Sequence, residues 1–156
     1  MADWLNAIAD LFALSDGRGG SVRSYSADRD DFPEALPVAE SACALTYITG
    51  CEPTYSIGGP RPTIYTGRTE FHLAPNTSKM HLPRINAYYA RIRNAMAGSM
   101  TLGNRVSDFR KREGTAQLIR GPVELKYGDE TGHLGLVVDW EVKVSEIDEP
   151  GYTPAA

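Results

Sequence analysis

Apolar and polar residues alternate most strictly over residues 134–144, LGLVVDWEVKV. Leu134, Leu136, Val138, Trp140, Val142 and Val144 fall on one side, and Gly135, Val137, Asp139, Glu141 and Lys143 on the other. A period of two lays one apolar face on a core, whereas a helix would scatter these residues around its circumference. The stretch therefore reads as a strand. A sheet that is apolar on one side needs a cover, and the rest of the chain reads as partners, cover and rim loops.

The cover comes from two helical patterns. Residues 3–14 place Trp4, Ile8, Leu11 and Phe12 on one face, with Asp3 suited to the N-terminal end and Ser15-Asp16-Gly17 as the stop. Trp4 so close to the start reads as a core plug. A second helix, from Lys79 or Leu82 to Ala97, repeats Leu82, Ile85, Tyr89, Ile92 and Met96 at core-facing spacing, with Pro83 fitting best in the first turn, which favours the later start, and Gly98 at the end. Arg84, Arg91 and Arg93 lie largely off that stripe.

The partners are further strands. Residues 21–26 form a short one, and 42–49 a second by β-branched and aromatic content. Residues 63–74 form a third, with Tyr65, Thr69, Phe71 and Leu73 on one side and Ile64, Thr66, Arg68, Glu70 and His72 on the other. The mixed character of that second side predicts exposure to water or a partner. Residues 116–127 read as a strand interrupted at Gly121-Pro122, which implies a bulge, bend or edge position, and pair with 134–144 as an antiparallel hairpin. Residues 105–112, anchored by Val106 and Phe109, fit an edge strand or an ordered loop. Residues 50–62, with three glycines and three prolines, are expected to be a long Gly/Pro-rich functional loop rather than helix or central strand. The expected fold class is α+β, a mainly antiparallel sheet of about four to six strands with two helices packed on one face. One domain is expected over 1–146, with a flexible tail over 147–156.

Composition changes this picture little, but charge patterning does. The net charge of −4 hides a segregation. Residues 1–78 carry five Lys/Arg against ten Asp/Glu, residues 79–112 eight against one, and residues 113–156 three against nine. A basic middle between acidic flanks suits nucleic acid or the acidic part of a neighbouring copy. No apolar run is long enough for a membrane span, and the opening residues do not resemble a signal peptide, so synthesis in the cytoplasm is expected. Cys43 and Cys51 lack zinc-ligand company and read as reduced thiols, with Cys43 buried.

Candidate chemistry is sparse. His72, His81 and His133 fit no metal-binding spacing, and neither a nucleophile elbow nor a phosphate loop is present. The acidic stretch 28–37 lacks the glycine and distal glutamate of a calcium loop. Glu70 and His72, two apart on one strand face, fit an acid–base pair, a common arrangement on solvated strands. No enzyme activity, metal or cofactor is expected.

The order of elements resembles that of the tail-terminator (tail-completion) proteins of long-tailed bacteriophages, and more loosely the neck proteins beside them. An opening helix leads to a short strand and to Phe32-Pro33…Leu36-Pro37. The strand over 63–73 leads into the arginine-bearing helix 82–97, and the hairpin of Gly121-Pro122-Val123-Glu124 with 134–144 closes the domain. The likeness spans residues 3–145, through element order and not an invariant motif, and the 50–62 insertion is longer than the family suggests. It implies a non-enzymatic virion protein at the head–tail junction, assembled as a ring of typically six copies that close by heterologous contacts. Its partners would be the tail tube protein and the head-side connector or stopper, with DNA only as passing cargo in the lumen and no membrane. Arg61, Arg68, Arg110, Lys111 and Arg112 are the expected charged contacts to subunits or partners. A stopper, adaptor or minor tail component is the near alternative. A nucleic-acid-binding protein using residues 79–112 is the alternative from another class, and it predicts strongly salt-dependent DNA affinity.

Overall fold

The computed structural model describes residues 3–17, 19–33, 42–53, 62–75, 82–98, 102, 109, 117–126 and 132–145. Helix α1 spans Asp3–Leu11 and strand β1 Arg23–Ser26. Strand β2 spans Cys43–Pro53 and β3 Pro62–Pro75. Helix α2 spans Leu82–Ala97, and strands β4 and β5 span Leu118–Leu125 and His133–Ser145. The sheet order is β1-β2-β3-β5-β4, with β1 parallel to β2 and every other pair antiparallel. The fold is α+β, as the periodicities predict.

Strand β5 organises the sheet because β3 pairs along its whole length and β4 along its first half. It pairs with β3 from Pro62↔Ser145 to Pro75↔His133, and with β4 from Leu118↔Asp139 to Leu125↔His133. Of its predicted inward set, Leu136, Val138, Trp140, Val142 and Val144 are buried beneath both helices in one core with Phe71, Ile8, Phe12, Ile85 and Ile92, and Leu134 packs half-buried against it, while Val137, predicted to face outward, is buried as well. Trp140 is the hub. Its ring meets Trp4 at 6.0 Å and Phe109 at 6.4 Å, both edge-on, and its indole N–H donates to Thr69 Oγ1 at 3.2 Å. Gly67 lies opposite Trp140 in the register, and a Cβ there would overlap indole carbons Cζ2 and Cη2. The indole lies on bare backbone that only glycine provides.

Several boundaries move from their predicted places. Helix α1 ends at Leu11, not residue 14, as its last turn tightens with Phe12 N–H donating to both Ile8 O and Ala9 O. Leu5 and Ala9 join its buried face while Leu11 is only half-buried. On α2 the buried stripe is Ile85, Tyr88, Ile92 and Met96. Tyr88 takes the central place expected of Tyr89, whose hydroxyl instead donates to Gly121 O and ties α2 to β4. Strand β2 continues through Gly50–Pro53, within the stretch expected to be loop. Proline is tolerated there because β1 pairs only with residues 43–46, so the far end of β2 is laddered by β3 alone among the described strands. A register shift at Ile48/Gly50 marks the transition.

The Gly121-Pro122 interruption is a register shift between Arg120 and Val123, on an edge strand of the described sheet. Gln117 then substitutes for a ladder residue: its side-chain amide donates to Glu141 O at 2.8 Å and accepts from Glu141 N–H at 3.1 Å. Both cysteines are free thiols, Cys43 buried and Cys51 exposed. No helix among the described residues is long and apolar enough to cross a membrane. The expected loop core (54–61), edge element (105–112, apart from the buried Phe109) and tail (147–156) lie outside the described residues.

Candidate functional site

The face of the sheet turned away from the helices holds the sequence-predicted pair Glu70 and His72, which the structure brings together. Alternation along β3 sends Arg68, Glu70 and His72 to this side, as the pattern requires. The expectation that this side is simply exposed is wrong for two of the three. His72 is fully buried and Glu70 very nearly so. Glu70 Oε1 lies 3.1 Å from His72 Nε2, its other oxygen accepts from the Tyr47 hydroxyl on β2, and His72 Nδ1 lies 3.1 Å from His133 Nδ1 at the start of β5. The two imidazoles meet edge to face, with centroids 5.1 Å apart. Cys43 and Leu45, packed with Tyr25 and Phe32, form a small apolar patch on the β1 side of this cluster.

A second polar group adjoins the first. Asp139 on β5 sits directly across from Arg68 and takes its Nε at 2.8 Å on one oxygen, while Arg120 Nε on β4 reaches the other oxygen at 2.9 Å. Arg68 is also the register partner of Tyr47. Tyr47, Arg68, Glu70, His72, Asp139, His133 and Arg120 thus make a polar seam across four strands.

The electrostatics follow from these contacts. Burial pushes the Glu70 carboxyl up, but hydrogen bonds from His72 and Tyr47, with the fields of His72 and Arg68, outweigh it and hold the group below the usual carboxylate range. Burial, the bond to Glu70 and that group's charge all push the Tyr47 hydroxyl far above its ordinary value, with Arg68 opposing, so it stays a donor. Burial likewise raises Asp139, yet the bonds from Arg120 and Arg68 bring it below its ordinary value. The hydrogen bond to Asp139 keeps Arg68 firmly protonated.

Chemically, the seam can hold and redistribute protons. Among the described residues no group of three or more His, Cys, Asp or Glu side chains is placed to hold a metal ion. Of the predicted contact residues, Arg68 is committed to Asp139 and remains about a third exposed. Arg61, Arg110, Lys111 and Arg112 lie outside the described residues. Sequence reasoning reached Glu70 and His72 through their i, i+2 spacing but missed Tyr47, His133, Asp139 and Arg120 as members of one group, because their proximity is set by register between strands distant in the chain.

No protein-family model, curated protein or solved structure matches this chain. The geometry stands on its own. Elsewhere on the surface, Arg91 of α2 lies over the Tyr88 ring, 4.6 Å from its centroid. Part of the basic charge of α2 is thereby spent within the molecule. Leu118, at the β4 end of the polar face and 52% exposed, is the one large exposed hydrophobic among the described residues.

Proposed function

We propose that this protein is a structural component of the virion of a long-tailed bacteriophage, a tail terminator that acts as a ring at the head–tail junction and performs no catalysis. The observation that carries the reading is the order and layering of elements. An opening helix and the arginine-bearing α2, which follows β3 in the chain, lie together on one face of a five-stranded sheet closed by the β4–β5 hairpin. The segregated charge supports assembly between copies: a basic middle can meet the acidic flank of the next copy, the kind of heterologous contact that closes by rotation into a ring. The partners on this reading are further copies of the chain, the tail tube protein below and the head-side connector above, with DNA passing through the lumen.

The test is native mass by light scattering across protein and salt concentration, with negative-stain images of the same sample, then addition to purified tail tubes. A discrete ring, or a ring formed on the tube end that halts tube extension, is the expected result. A monomer that neither closes alone nor caps tubes overturns the reading. If that monomer binds DNA with steep salt dependence, the basic middle serves nucleic acid instead.

A further inference from the structure

We propose that the β4 edge of one copy, through Leu118 and Arg120, docks on the acidic turn after β1 of a second copy, through Asp30 and Asp31. The proposal rests on the assembly reading and names its contact. Strands β1 and β4 are the opposite ends of the described sheet, so the contact joins two different patches and repeats head to tail. It is made by side chains and not by strand addition. Pro122 and the register shift at Arg120/Val123 break the ladder of β4, and both features discourage edge-to-edge pairing.

The two patches are complementary in charge. Arg120 is exposed and gives only its Nε–H, to Asp139, so its two terminal nitrogens have no acceptor among the described residues. Asp139 is shared with Arg68, so this group of three keeps one positive charge. Glu124, exposed on the same strand, stands beyond the register shift, opposite Leu134. On the other edge Asp30 and Asp31 are exposed and have no ion pair among the described residues, while Arg29, the cation of that turn, is spent on Asp10 at 2.9 Å. Apolar surface accompanies the charges. Leu118, two residues before Arg120, is the large exposed hydrophobic, and Phe32 and Pro33 beside the acidic pair are half-buried.

Register puts the two patches at one level of the sheet. Leu118 pairs with Asp139, Asp139 with Arg68, and Arg68 with Tyr47. Strand β1 leaves the ladder at Ser26↔Thr46, and Ala27 N–H donates to Thr46 O at 2.9 Å, so the turn begins at the far end of that same row. A contact between points at one level repeats without rise along the strands, which a closed ring requires and a helical filament does not. The turn is also held in place before docking. Arg29 N–H donates to Ser26 O, Phe32 N–H to Arg29 O and Asp28 N–H to Ser26 Oγ, while the Arg29 guanidinium anchors the turn to α1 through Asp10. Little ordering is left to oppose association.

The test uses the full chain and follows ring formation by light scattering, or on tail-tube ends by negative stain. Asp30→Lys with Asp31→Lys should weaken association of copies at least about tenfold at an unchanged urea midpoint. Adding Arg120→Glu to that chain should restore it, as the reversed edge meets the reversed turn. Should Arg120→Glu disturb β4, cross-linking decides. In a Cys51→Ser background, a chain carrying Leu118→Cys and Asp31→Cys should form a ladder of covalent multimers on mild oxidation, and each single-cysteine chain should stay monomeric on a denaturing gel. Within one copy the two sites are four strand spacings apart, roughly 19 Å, beyond disulfide reach. Normal rings from the Asp30/Asp31 variant, or rings that give no ladder, overturn this contact and leave the assembly reading intact. Dimers cross-linked through Leu118→Cys alone would reveal a two-fold contact and overturn it as well. A parent chain that forms no ring, alone or on tube ends, overturns both.

Discussion

Trp140 and Asp139 are neighbours on one strand, yet they belong to different physical regimes. Trp140 faces the helices, where stability comes from the removal of apolar surface from water and from close contact, and geometry matters mainly as volume. Asp139 faces the other way, where the seam from Tyr47 to Arg120 is held by directional bonds between ionisable groups. The helix-covered face thus carries most of the folding energy and is indifferent to pH. The polar face contributes less but responds to protons and salt. A sheet built this way can keep its fold while one side changes state.

The comparison is tested most severely at Trp140. Trp140→Ala removes the hub between Trp4, Phe109 and Gly67, and should cost about 3–5 kcal/mol, read as a lower urea midpoint at unchanged slope. A loss under about 1 kcal/mol would mean the core collapses around the gap, and the contrast between faces would fail. Next comes Gly67→Ala, the same contact approached from the opposite strand. The new methyl must displace the indole, so a cost of about 1–3 kcal/mol is expected. Combined with Trp140→Leu, which empties the space above residue 67, Gly67→Ala should cost clearly less than it does alone.

These two positions also show what the sequence makes legible. Strict alternation over 134–144 identified the face, strand and hairpin of β5, since a period of two is a local property of the chain. The second helix was readable in its end and, through Pro83, in the later of its two candidate starts, but periodicity alone could not choose between adjacent tyrosines. Tyr88 is buried and Tyr89 reaches Gly121 O because β4 lies beside α2, a tertiary fact. Gly67 gave no signal, as its meaning depends on register with Trp140, seventy-three residues further on. The polar seam was half legible: Glu70 and His72 share a strand, whereas Tyr47 and His133 join them only once β2, β3 and β5 align. His72 looked solvated because a polar residue on an alternating strand usually is.

On the polar face, Glu70→Ala leaves the buried His72 Nε2–H without its acceptor and should cost about 1–3 kcal/mol at neutral pH. Its pH signature has a fixed sign. The Glu70 carboxyl is held below its ordinary value of 4.5 in the fold, so its contribution is complete above that value and is lost as pH falls through the lower folded one. The stability difference between the parent chain and Glu70→Gln should therefore shrink on the acid side and stay flat at neutral pH. Tyr47 acts at the other extreme. Its hydroxyl is raised from an ordinary 10.0, so its contribution is complete below pH 10.0 and declines as pH rises above it. Tyr47→Phe should abolish that alkaline decline in a chemical denaturation series between pH 8 and 11.

The smallest effect is expected at Asp139, and it is the sharpest check on the contrast with its neighbour. Asp139→Asn removes the charge that Arg68 and Arg120 share, but all three side chains are between 36% and 42% exposed, so water screens much of the attraction. The loss should stay under about 1 kcal/mol at low ionic strength, although both arginines hold the carboxyl below its ordinary value. At about 1 M salt, where charges are screened within ~3 Å, the parent chain and the variant should converge in urea midpoint. Trp140→Ala should show no such convergence, since added salt does not fill a cavity. If Asp139→Asn instead costs several kcal/mol and keeps that cost in high salt, the paired arginines contribute to the fold as core residues do. The division between an energetic face and a responsive face would then have to be redrawn through the middle of β5.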